Sequence, residues 1–338
     1  MACVHSILSA ASTGKRVTRP SSFCASPSAR RTRPTSLWPT EHWACRCSGW
    51  GRVAQAREHF MQSVALYDPQ QHRTLAFSYG QDPGVAALVN DAWALWILGY
   101  PDQALRRSHE ACRLAEDLAH PHTLAYAFAH LAMFHQYRRD RKGAHRHADA
   151  AMRVSREQGF PFWLGAGLIC QGWAQMTRHQ LAEQIPAMHE GLALYRATDA
   201  AMWVPYFLTL LAEASGAVSQ PETGLRLLAE ARTVMDRTQE RFYEAEVHRV
   251  QGALVLAQAA DRHPLAETCF QQALAIARRQ QARSWELRAA MSLARLWQQQ
   301  GKQAEARALL APVYGWFTEG FDTADLQEAK ALLEELGG

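Results

Sequence analysis

No stretch of the 338 residues approaches the roughly 18 consecutive apolar positions that a membrane-spanning helix requires, so no membrane partner is expected. Cysteine is scarce. The seven thiols are too few and too irregularly spaced for a disulfide framework in a chain of this length, which implies a reducing, cytoplasmic setting. Strand-type alternation is missing, and so is a phosphate-cradling loop: Gly14-Lys15 runs on to Arg16 without the earlier glycine, and Gly301-Lys302 runs on to Gln303. A charge of one sign is also lacking outside the first segment. The formal +4 arises because residues 1–40 hold six basic residues and no acid, which leaves 30 basic and 32 acidic residues, a net of −2, in the rest. A body with that balance does not offer the basic footprint that nucleic acid demands, so no nucleic-acid partner is expected.

Constellations for chemistry are equally thin. Cys3, Cys24, Cys45 and Cys47, with His42 nearby, lack the paired spacing of a structural zinc site. Among the histidines from His120 to His147, His130 and His135 stand five apart and diverge around a helix, so packing or solvated roles are expected in place of a metal shell. Cys112, Cys170 and Cys269 lie in apolar helical stretches where thiols are usually inert. The charge runs Arg138–Lys142 and Arg278–Arg283 read as solvated helix ends. The expectation is a chain that is not an enzyme, with no cofactor and no metal.

What is present is a repeat. A small residue recurs at Ala92, Ala132, Gly172, Ala212, Gly252 and Ala294, and a second series runs Ala56, Ala104, Ala144, Gln184, Gly224, Ala266 and Ala306. Two offset series with one period of about 40 residues mean two helices per unit. Apolar residues at helical spacing, as in Leu287, Ala290, Met291, Ala294 and Trp297, give each segment one sticky face. Glycine at Gly51, Gly99 and Gly301 supplies left-handed turns, and prolines such as Pro83, Pro101, Pro121, Pro161, Pro221 and Pro264 fall between segments or at first turns. Pro186 and Pro312 fall inside second helices. The fold class expected is all-α, a tetratricopeptide-like right-handed superhelix of antiparallel helix hairpins spanning 51–320, closed by a capping helix over 321–338.

The segments LYDPQQHRTLAFSYGQDPG, LGYPDQAL, ERFYEAEVHRVQGALVL and the C-terminal AMSLARLWQQQGKQAEARALLAPVYGWFTEGFDTADLQEAKALLEEL resemble the C-terminal tetratricopeptide-repeat region of bacterial signalling proteins. Those proteins carry a class III adenylate/guanylate cyclase domain and a predicted AAA/STAND-type ATPase. The resemblance covers about residues 51–338 and implies a regulatory repeat module. It carries no catalytic residue onto this chain.

Residues 1–50 do not read as repeat. In the frame one nucleotide earlier, the codon junctions Trp38/Pro39, His42/Trp43, Trp43/Ala44 and Trp50/Gly51 must encode Ala, Leu, Gly and Gly. The Leu-Gly pair with a Gly seven positions on matches a first repeat helix, as Ala92 and Gly99 do in the given frame. An out-of-frame leader joined to an authentic array is one reading, and a disordered or organelle-targeting leader is the other. Resequencing separates them.

The function expected is a protein-interaction or regulatory scaffold, the repeat module of a signalling ATPase/cyclase system and conceivably a truncated gene product. Alternatives are a non-catalytic subunit of a cyclase or ATPase active only in trans, and a repeat-type transcription regulator lacking its DNA-binding domain. The partner expected is a protein or peptide segment, such as an ATPase or nucleotide-cyclase domain. Counting from the small residue seven before each turn places Val89, Trp93, Trp96, Met133, Ile169, Trp173, Met176, Arg249 and Arg295 on the concave groove. The tryptophans offer aromatic anchors and the arginines a charged end. Packing of those same rings between helices is the competing reading.

Overall fold

The structure is a computed structural model that describes residues 51–176, 181–259 and 262–337. The boundary at residue 50, the candidate zinc residues and the leader lie outside the described residues. Among the described residues every regular element is a helix. A lone helix α1 (Val53–Leu66) is followed by two short ones, α2 (Pro69–His72) and α3 (Leu75–Tyr79). Six hairpins come next: α4 (Pro83–Ile97) with α5 (Pro101–Leu118), α6 (Pro121–Tyr137) with α7 (Arg141–Gln158), and α8 (Pro161–Gln175) with α9 (Leu181–Arg196). The second three are α10 (Val204–Ala217) with α11 (Pro221–Thr238), α12 (Glu244–Gln258) with α13 (His263–Arg279), and α14 (Arg283–Gln299) with α15 (Gln303–Tyr314). A final helix, α16 (Ala324–Glu335), packs on α14 and α15. This is the expected all-α tetratricopeptide-type array.

Both small-residue series sit where helices touch. Ala92, Ala132, Ala212 and Ala294 are buried, as are Ala56, Ala104, Ala144, Ala266 and Ala306. A Cβ on Gly172 would meet the Met188 side chain, and one on Gly252 would meet the Phe270 ring, both well inside van der Waals contact. Proline opens α4, α5, α6, α8 and α11 at their first turns, where its missing N–H has no intrahelical partner to lose. Pro186 and Pro312 lie inside α9 and α15.

Most of the turns repeat as well. Gly51, Gly99 and Gly301 have φ of +76°, +92° and +77°, and at the 40-residue positions without glycine Arg139 and Ser219 take +59° and +60°, whereas Ala259, after α12, is extended. Between hairpins a second series, Ala119, Gly159, Asp199, Gln239 and Gln281, is left-handed throughout, with φ from +50° to +69°. The array curves until its two ends meet: α14 packs on α4, and the segment between α15 and α16 lies against the α4–α5 turn.

Candidate functional site

The first helix of each hairpin faces the inside of the curve, and that inside is filled. Val89, Trp93, Trp96, Met133, Ile169, Trp173 and Met176 are all at most 8% exposed. In the closed ring these side chains pack on other helices instead of lining an open channel. Trp93 meets His130, Tyr137 and Trp203 at ring-centroid distances of 5.0, 5.2 and 6.0 Å, and its indole N–H donates to the His130 carbonyl at 3.2 Å. Trp96 lies edge-on to Trp285 at 4.6 Å and stacks on Tyr137 at 5.7 Å. Trp173 stands apart from this chain of rings: the Arg141 guanidinium lies 4.9 Å from its ring centre and donates to its carbonyl at 2.7 Å.

A second aromatic register, one ring at the start of successive first helices, runs Trp163, Trp203, Tyr243 and Trp285, at intervals of 40, 40 and 42 residues. With Trp93, Trp96, Tyr137 and Tyr206 these rings form one continuous edge-to-face network. The spacing was there to be counted, because the four positions repeat with the small-residue series.

Around Trp96 and Trp285, charge enters this apolar interior through a ladder centred on Arg288. Arg288, its side chain 8% exposed, donates to Asp325 at 2.8 Å and to Glu246 at 3.2 Å. It also donates to the Tyr137 carbonyl, and its guanidinium lies 5.2 and 5.1 Å from the Trp96 and Trp285 ring centres. Burial works against the charge, but Asp325 and Glu246 outweigh it and hold Arg288 above the ordinary arginine range. Glu246 is shared with Arg249 at 2.7 Å, which reaches Glu213 at 2.6 Å. Arg249 is mostly covered, whereas Arg295 is exposed and pairs with Glu328 at 3.1 Å. The two arginines of the expected charged end thus sit on the same inner wall, each already answered by a carboxylate.

The runs read as solvated helix ends are exposed at Arg139, Arg141, Lys142, Arg278 and Arg279, yet several of their guanidinium groups are also engaged. Arg138 donates to the Pro101 carbonyl at 2.7 Å, Arg139 bridges Asp325 and Glu328, and Arg278 and Arg283 converge on Glu286. A turn with one side chain spare and a carboxylate opposite is enough to recruit a guanidinium, and sequence spacing does not show the opposite side.

Burial pushes the Cys170 thiol up to about 12, and burial together with Glu116 pushes Cys112 up to about 11, so neither offers a thiolate at neutral pH. Burial depresses His130 to about 3 and leaves it a neutral ring among Trp93, Tyr126 and Trp163. His135 and His147 stack at 4.9 Å beside Asp140, but among the described residues no group of three His, Cys, Asp or Glu side chains is placed to hold a metal ion. No described helix is long and apolar enough to cross a membrane.

Comparison with known proteins agrees with this architecture at the level of fold. No protein-family model and no curated protein matches the sequence. Among solved structures, a Rap protein complexed with Competence and Sporulation Factor is similar with a TM-score of 0.60 at 14% identity, over 89% of this chain and 80% of that one. Yeast Tom70 is similar with a TM-score of 0.50 at 11% identity, over 98% of this chain and 69% of that one. A STAND protein with a tetratricopeptide repeat sensor from Pyrococcus horikoshii gives a TM-score of 0.44 at 14% identity, and the match spans 89% of this chain but only 44% of that protein. The class these likenesses define is the tetratricopeptide-type helical repeat. Identities this low establish the fold alone.

Proposed function

We propose that this chain is a protein-interaction and regulatory scaffold, the repeat module of a signalling ATPase/cyclase system, which binds a protein or peptide segment on its inner face and carries out no chemistry of its own. The observation that carries the reading is the inner wall itself. Aromatic rings and a ladder of arginines and carboxylates lie together along the inner side of the closed ring, where they are buried, and once uncovered they are the combination that dominates binding energy at protein interfaces. The Rap protein, a repeat array of similar fold, is complexed with Competence and Sporulation Factor, which supports a bound occupant. A partner that displaces the interior contacts lays its apolar side on Trp93, Trp96 and the separate Trp173, with Val89, Met133, Ile169 and Met176 beneath, and its charged end beside Arg249 and Arg295.

The test is the affinity of the full chain for a purified ATPase or nucleotide-cyclase domain of the signalling class that the resemblance implies. Trp96→Ala and Trp173→Ala should each weaken binding by about 1–2 kcal/mol, and Arg295→Glu, exposed and safe for folding, should weaken it as well. Unchanged affinity in all three variants, with circular dichroism intact, removes this surface from consideration.

A further inference from the structure

The contact that closes the ring differs in kind from the hairpin-to-hairpin packing that builds the array. Most helix packing is between neighbours in the chain, and the other contacts across the ring, such as Trp93 with Trp203 and Tyr137 with Tyr206, are mainly between rings, so an array of this type holds together without its ends touching. At the seam, residues 96–103 and 137–139 meet residues 283–288 and 316–328, and much of what joins them is polar. The Glu319 carboxylate accepts the backbone N–H groups of Asp102 and Gln103, both at 3.0 Å, and the Asp102 carboxylate accepts the N–H of Gly320 at 3.0 Å. Arg139 reaches Asp325 at 3.2 Å and Glu328 at 2.7 Å, and the Ser284 hydroxyl donates to the Trp96 carbonyl. Water replaces bonds of this kind at modest cost, and salt screens the exposed part of them. A cavity of about 10 Å³, the room of about one water, lies in the seam between Trp96, Pro101, Ser284 and Phe317.

Two glycines allow the approach. A Cβ on Gly99 would strike Trp316 and Arg283, and one on Gly320 would strike the Pro101 ring. Both have positive φ, +92° and +74°. What the seam covers is the Trp96–Trp285 pair with Arg288 across it, which joins Trp96 of the proposed binding face to the ion-pair ladder.

We infer that the seam is a latch: the ring opens between the α4–α5 and α6–α7 turns on one side and the Trp316–Asp325 segment on the other, and opening uncovers Trp96, Trp285 and Arg288 for a partner segment that sets apolar side chains beside a carboxylate. This rests on the scaffold reading above. Exposed rings disfavour the open form when the partner is absent, and a segment that covers them shifts the population towards it. The Glu319 carboxylate beside Trp316 and Phe317 is the internal counterpart of that chemistry, since it satisfies the first N–H groups of α5 while the two rings cover the turn.

Hydrogen exchange on the full chain tests it. Gly320→Ala, which wedges the seam against Pro101, and Glu319→Gln should speed exchange at the amides of residues 102, 103 and 320 by roughly tenfold or more, leave α8–α11 unchanged, and raise the fluorescence of the dye anilinonaphthalene sulfonate. Raising sodium chloride on the native chain should speed the same amides. Exchange that rises evenly through all hairpins, or that does not change at the seam under either variant or salt, overturns the latch. If the seam opens as described but the ATPase or nucleotide-cyclase domain used in the binding test above binds Gly320→Ala no better than the native chain, the scaffold reading fails and the latch stands. Binding with the seam amides protected throughout fails the latch alone.

Discussion

Buried titratable side chains make the interior sensitive to pH in both directions. His122, His130 and His147 are held neutral by burial, at about 4, 3 and 4, well below the ordinary histidine value near 6.5. The stability they contribute is complete above about pH 6.5 and is lost as pH falls through those lowered values, because the unfolded chain takes up protons that the folded one refuses. Glu240 runs the other way. Burial raises it to about 8, against the opposing Trp203 N–H that it accepts at 3.1 Å, so its contribution is present below 4.5 and lost as pH rises towards 8. With His109, His120 and His248 also lowered by burial, and Asp82 and Asp91 also raised by it, the histidines outnumber the carboxylates, which places the expected maximum of Tm close to neutrality with a steeper fall on the acid side. His130→Phe should flatten the acid limb and Glu240→Gln the alkaline one. Tm measured from pH 4.5 to 9 checks both, and a curve that ignores these two substitutions contradicts the assignment.

At the scale of the element, most of the helices were legible because amphipathic spacing, glycine turns and first-turn prolines all pointed the same way. Gly51, Gly99 and Gly301 announced left-handed turns, and each has one. The turns at Arg139, Ser219, Ala119, Asp199, Gln239 and Gln281 did not announce themselves, because the repeat geometry imposes positive φ on residues that do not favour it. Arg139 has a reason to stay, since its side chain holds Asp325 and Glu328 across the seam. Ser219 does not: it is exposed, and its φ of +60° carries only the strain of a β-carbon in the left-handed region. Ser219→Gly relieves that strain and gives back part of it as unfolded-chain entropy, for an expected net gain of about 0.5–1 kcal/mol in urea unfolding. A loss of stability instead would mean that the serine hydroxyl has a role this geometry does not show.

The candidate site was legible as a set of positions and illegible as a surface. Periodicity assigned Trp93, Trp96 and Trp173 to one side of the first helices, which is where they are, but whether that side is open depends on a small rotation accumulated over six hairpins. Closure then depends on residues about 200 positions apart, such as Asp102 and Gly320, finding each other. The same separation governs what residues 1–50 are worth to the fold. From α1 onward the described helices are tied to one another: Val53, Ala56 and Phe60 are buried, α1 packs on α4, and Arg57 reaches the buried Asp91 at 3.4 Å. The turn residue Gly51 lies against the Gln280 side chain, which itself donates to the Arg241 carbonyl at 2.7 Å. We therefore expect a chain begun at residue 51 to keep its helical circular dichroism per molecule and to unfold within about 1 kcal/mol of the full chain, since nearest-neighbour contacts carry the stability of such arrays. The change that remains should be confined to faster exchange in α1, whose outer side chains Met61 and Leu66 are 46% and 53% exposed. Loss of helix in α4–α7, or collapse of the seam amides at residues 102, 103 and 320, would instead make residues 1–50 part of the folded unit and move the boundary of the array towards the N-terminus.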